Sequence, residues 1–152
     1  AKEADMAIVE SRAAAFTRTP SIPIRWAGFA TWLPTTAIVI VLVVRGGVVE
    51  GEAPSWLLLA TALVSFIAPD LTFLVGAGQD APRGHLPRSA VPYYNAMHVL
   101  WGPLVLLALA VLAAAVSAIA GSVLLVAALS WAAHVLLDRA AGYGLRRPDG
   151  GR

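Results

Sequence analysis

Four stretches of this chain, at about 26–44, 54–76, 93–120 and 122–145, are apolar almost throughout. The hydrocarbon core of a bilayer is about 30 Å thick, and a helix crosses it with roughly 20 apolar residues at about 1.5 Å each. Each stretch has about that length. Backbone in lipid has no water to satisfy its N–H and C=O groups, so such stretches must be helical. The sequence therefore reads as all-α: a polytopic membrane protein with a four-transmembrane-helix bundle. Residues 1–22 form an N-terminal segment, 23–147 the transmembrane domain and 148–152 a tail.

Composition agrees. Only 13% of the 152 residues are charged and 59% are hydrophobic, whereas soluble domains are about a quarter charged. A net charge of +2 offers no field to hold nucleic acid. Without cysteine, disulfides, thiolate metal sites and cysteine catalysis are excluded. The segment before Pro20 carries Lys2, Glu3, Asp5, Glu10, Arg12 and Arg18 and lacks the compact apolar run of a secretory signal. Within it, residues 4–16 read either as a short interfacial helix or as a tether.

Orientation follows from Lys and Arg in short loops. Lys2, Arg12, Arg18 and Arg25 precede the first span, Arg83 and Arg88 lie between the second and third, and Arg146, Arg147 and Arg152 follow the fourth. The intervening loops carry Arg45 opposed by Glu50 and Glu52, or no charge. Both ends are expected on the cytoplasmic side. Pro34 and Pro103 are expected to kink spans one and three. Ala120, Gly121 and Ser122 are expected to make the turn between spans three and four. Trp26, Trp32, Trp56, Tyr93, Tyr94 and Tyr143 lie near span ends, where amphipathic rings prefer the interface.

Asp70, His98, His134 and Asp138 interrupt the spans. An ionisable group there costs about 2.5–3.5 kcal/mol on insertion scales. In the expected topology all four lie towards the cytoplasmic face, on three different helices. His134 and Asp138 are four apart and share a helix face, as do Asn95 and His98 at three apart. Tyr94 precedes His98 by one turn. Imidazoles and carboxylates converging from facing helices suit Zn, Mn or Fe. A metal-free hydrogen-bonded network is an equal alternative. In a third reading, the carboxylates pair with nearby arginines at the interface. Ser65, Ser117, Ser122 and Ser130 lack a nucleophile-elbow context, and 76–78 is too short for a phosphate loop.

Three segments together resemble a known family. They are Ala68-Pro69-Asp70-Leu71, Tyr94-Asn95-Ala96-Met97-His98, and Trp131 through His134 and Asp138-Arg139 to Gly142-Tyr143-Gly144-Leu145. The pattern Pro-Asp, Tyr-Asn-x-x-His, His-x-x-x-Asp-Arg-x-x-Gly-Tyr-Gly-Leu resembles an uncharacterised bacterial family of four-helix membrane proteins, a domain of unknown function, over about 26–147, and the resemblance implies a bacterial cytoplasmic (inner) membrane as the location. Ala27 stands where that family tends to have an acidic residue, and the family's longer, His-bearing tail is not matched. The order is also distantly similar to that of membrane-bound metal-dependent hydrolases. That likeness implies a divalent metal on Asp70, His98, His134 and Asp138. It also implies water activated against a phosphoester or amide of a lipid-like substrate. Asn95, Tyr94, Tyr143 and Arg139 would then support the ligands or face the substrate.

The alternative is a non-catalytic accessory subunit packed against a larger membrane complex or against itself, with membrane lipids as its other partners. Its motive is the run of small residues Ala108, Ala110, Ala113, Ala114, Ala115 and Ala118, which permits close helix approach. A carrier using the His/Asp set as a proton relay is a third possibility.

Overall fold

The structure, a computed structural model, describes residues 22–48 and 53–152. The expected surface helix at 4–16, Lys2, Arg12 and Arg18, and Glu50 and Glu52 lie outside the described residues. The chain forms α1 (Ile22–Arg45), α2 (Ser55–Ile67), a 3-10 segment (Ala68–Gly76), α3 (Val91–Met97), α4 (Trp101–Ala114) and α5 (Ala118–Ala141). There is no strand among the described residues. Three helical stretches, Ile22–Arg45, Ser55–Gly76 and Ala118–Ala141, are long and apolar enough to cross a membrane. Val91–Met97 with Trp101–Ala114 makes a fourth if the bent pair is one span.

α5 is the central element and packs against α1, α2 and α4. Its apolar stretch is 39% buried within the protein, against 11% for α1 and for Ser55–Gly76. The outer helices therefore present Ile38, Val41, Leu63, Val64 and their neighbours outward, as lipid-facing helices do. Small residues set the closest approaches. A Cβ on Gly121 would lie 2.6 Å from the Ala114 Cβ, so the α4–α5 hairpin itself uses part of the small-residue run.

Each helix deviates for a local reason. α1 runs on through Pro34, with the Thr31 hydroxyl donating to the Ala27 carbonyl at 2.7 Å and the Thr35 hydroxyl to Thr31 at 2.7 Å. Span two tightens into 3-10 geometry where Pro69 removes a donor. This places Asp70 in the first 3-10 turn. Span three breaks at 98–100 and bends by 45°. Pro103 accounts for the break: its ring would clash with the carbonyl four residues back, at Val99, and it has no N–H to offer it.

Two boundaries differ from expectation. The turn before α5 falls at 115–117, not at Ala120–Ser122. Ser117 is extended and its hydroxyl accepts from the Ala120 N–H at 3.2 Å, an N-cap that starts the helix earlier. α5 ends at Ala141, because Gly142 takes φ +90° and the Tyr143 N–H reaches back to the Asp138 carbonyl at 2.8 Å.

Candidate metal centre

The break in span three builds the site. Where α3 stops, the carbonyls of Met97 and His98 lose their helical donors. The Trp131 indole N–H donates to Met97 O at 2.7 Å, and Arg139 Nη2 to His98 O at 2.7 Å. Arg139 also donates through Nη1 to Tyr143 O at 2.8 Å. Both caps come from α5, so the broken end is tied to the helix that carries His134 and Asp138. Arg139, one of the residues expected near the ligands, is thereby a structural cap.

His98 is fully buried. Its Nδ1 lies 2.8 Å from the Tyr94 carbonyl. A carbonyl only accepts, so Nδ1 carries the proton and the Nε2 lone pair is free. The buried Tyr94 ring stacks on the imidazole at 3.8 Å and 17°, fixing its plane. Metal-binding histidines are oriented by such a bond on the far nitrogen.

Three ligand atoms meet in front of that lone pair. His98 Nε2 lies 3.4 Å from His134 Nε2 and 3.7 Å from Asp70 Oδ1, and His134 Nε2 lies 3.6 Å from Asp70 Oδ1. A triangle with sides of 3.4, 3.6 and 3.7 Å has one point about 2.1 Å from every corner, the usual zinc distance to imidazole nitrogen and carboxylate oxygen. Direct charge-assisted hydrogen bonds would be shorter, at about 2.7–2.9 Å. The separations leave room for an ion among the three groups.

Asp138 joins at the edge, with Oδ2 3.4 Å from His98 Nε2. Among the described residues, the group able to hold an ion is Asp70, His98 and His134. Asp70 is half exposed at 51%, so the centre opens on that side. Phe66 sets its edge against the His134 ring at 5.2 Å.

The remaining expected residues are held elsewhere. The Asn95 side chain donates to the Arg146 carbonyl at 2.9 Å and accepts from the Arg146 N–H at 2.7 Å. It clamps the tail, which also bonds the 78–90 loop through Leu86 N–H to Gly150 O at 2.9 Å. Asn95→Ala is expected to cost about 2 kcal/mol, roughly 1 for each bond. Trypsin should then cut after Arg146 several-fold faster, and an unchanged digestion rate would refute the clamp. The Tyr143 ring lies on the outside, 40% exposed under the Arg152 guanidinium at 4.6 Å. Trp131 and Phe66 were not among the expected site residues, although Trp131 precedes His134 by one turn.

Fold and site together define an all-helical protein with membrane-length apolar helices and an Asp/His/His group in their midst. The chain belongs to the family described as a domain of unknown function (DUF4260), whose match spans residues 30–152. No curated protein and no solved structure matches the chain. The likeness to metal-dependent hydrolases therefore rests on the order of its motifs alone.

Proposed function

We propose that this protein is a four-span membrane metalloenzyme, with both ends and its metal centre on the cytoplasmic side, that hydrolyses a lipid-like substrate. The observation that carries the reading is the triangle of Asp70 Oδ1, His98 Nε2 and His134 Nε2, with sides of 3.4–3.7 Å. Three protein ligands leave a fourth position open, which is the pattern of catalytic rather than structural zinc. A divalent ion there would supply Lewis acidity and lower the pKa of a bound water to about 7.

The chain's own groups have distinct tasks. Tyr94 and the buried backbone hold His98 in the tautomer that presents Nε2. Asp138, outside the triangle but 3.4 Å from His98 Nε2, is the general base that takes the proton of the attacking water. The half-exposed side at Asp70 admits the scissile phosphoester or amide. Water adds at phosphorus or the carbonyl carbon, the bond to the alcohol or amine breaks, and the proton held by Asp138 passes to the leaving group.

The topology draws support from the contact of the 78–90 loop with the tail. Arg146 Nη1 donates to the Gly84 carbonyl at 3.2 Å, so the two share one end of the bundle. Two crossings lie between them, and both carry arginines, which favours the cytoplasmic face.

The test is elemental analysis of full chain purified without chelator, followed by chelation and re-addition of Zn, Mn or Fe. One ion per chain is expected, with release of product from phosphoester or amide lipid analogues that follows metal occupancy. Folded protein that holds no ion and takes none up would overturn the reading.

A further inference from the structure

The tail is folded as a closed turn. Pro148, Asp149 and Gly150 are turn formers. The Arg147 N–H donates to the Gly151 carbonyl at 2.9 Å and the Gly150 N–H to the Arg147 carbonyl at 2.9 Å. The Gly151 N–H donates to Asp149 Oδ1 at 2.9 Å. Gly150 takes φ +89°, and a Cβ there would collide with the Leu86 carbonyl oxygen. The turn therefore lies flush on the 78–90 loop. Leu86 in turn packs with Val91 and Tyr94 in a buried cluster.

This turn fixes Arg146 against α3. Asn95 holds its backbone, and the Gly84 carbonyl accepts from its Nη1 at 3.2 Å. The guanidinium carbon lies 5.5 Å from the centre of the Tyr94 ring, inside the cation–π limit of about 6 Å. Tyr94 is buried, and desolvation strengthens such an attraction.

Tyr94 bears on two of the three ligands. Its ring stacks on the His98 imidazole at 3.8 Å, and its carbonyl accepts from His98 Nδ1. Phe73 packs against the same ring at 5.6 Å and 46°. Phe73 follows Asp70 by three residues in the 3-10 segment, and side chains three apart in that geometry lie on one edge. A stack alone resists tilting but not sliding. The cation on Arg146 and the Phe73 ring pin the tyrosine, and with it the imidazole.

We propose that Arg146 is a positioning residue of the metal centre: carried by the docked tail, it fixes Tyr94 and so holds His98 ready for the ion. The inference rests on the metal centre of the proposed function and assigns its affinity to a residue outside the spans. Outer partners of metal ligands tune affinity in this way. Arg146 acts through Tyr94, so the effect should follow the cation over the ring.

The experiment uses detergent-purified full chain and two readouts. Zinc affinity is measured by competition with a chromophoric chelator. In metal-free, nitrogen-15-labelled chain, nuclear magnetic resonance follows the His98 Nδ1–H, which its bond to Tyr94 should shield from exchange with water. Arg146→Met is expected to bind zinc about tenfold more weakly, the lower end of the cost of an outer partner, and to broaden the Nδ1–H signal. Arg146→Lys keeps a cation over the ring and should restore both. Gly150→Ala, which undocks the turn without touching Arg146, Tyr94 or His98, should behave as Arg146→Met. Full affinity and a sharp signal in Arg146→Met would overturn the proposal. So would a lysine variant as impaired as the methionine one, because the cation would then be irrelevant. If Gly150→Ala does not fold, the two Arg146 variants decide. An unaltered chain that takes up no zinc sinks the proposed function, and the metal-free signal still judges Arg146. Zinc uptake that is indifferent to Arg146 sinks only this inference.

Discussion

His98→Ala is expected to empty the metal centre, whereas Asp138→Asn is expected to leave it filled and idle. His98 Nε2 is a corner of the ligand triangle and makes two of its three sides, at 3.4 and 3.7 Å. Loss of an outer partner of a metal ligand costs about 10–100-fold in affinity or activity, and loss of a ligand itself should exceed that range. The variant also leaves a gap under Tyr94 and removes one of the two donors to its carbonyl, the imidazole, while the backbone N–H of residue 98 remains. His98→Ala should therefore lose thermal stability as well as metal. Asp138 lies outside the triangle, so its amide should keep the ion. An amide cannot take a proton from water, and removal of a general base costs about 10²–10⁴-fold in rate. Metal counts and turnover on the same preparations separate the two outcomes. If Asp138→Asn also loses its ion, Asp138 is a fourth ligand and the centre is closed.

Apolar length made the helices legible, because a bilayer leaves few other uses for 20 uncharged residues. The convergence of Asp70, His98 and His134 was legible too. Each is a costly intrusion in a span, and their expected levels coincide. The finer structure was hidden because it depends on partners distant in sequence. Pro103 announces the bend in span three, but not the caps that tolerate it, Trp131 and Arg139. Asn95 and Arg139 looked like site residues because they flank the histidines, but their side chains meet backbone carbonyls and N–H groups left open by the break and the tail. The start of α5 was misjudged because Ala120-Gly121-Ser122 resembles a turn. The capping hydroxyl belongs to Ser117, and Gly121 serves close packing on Ala114.

Gly102→Ala is expected to destabilise the bundle strongly. Gly102 lies in the first turn of α4, directly under the Trp131 ring. A Cβ there would stand 2.7 Å from Cζ2 and 2.9 Å from Cζ3 of that ring, well inside contact distance. The indole cannot swing aside freely, because its N–H caps Met97 at 2.7 Å. Overpacking costs about 1–3 kcal/mol, and a carbonyl left without its donor in a dry place costs about 1–3 more. A loss of roughly 2–6 kcal/mol is expected from these two sources. The damage should reach the metal. The bond from Trp131 holds the end of α3, and His98 is the next residue after Met97. Thermal unfolding in detergent and metal titration should therefore fall together in Gly102→Ala. Adding Trp131→Ala makes room for the methyl without restoring the cap. The double variant should then be less unstable than the sum of the single variants, since residues in contact do not act additively. Additive losses would mean that the ring and the glycine are independent, and that something other than this contact sets the break beside the ligand set.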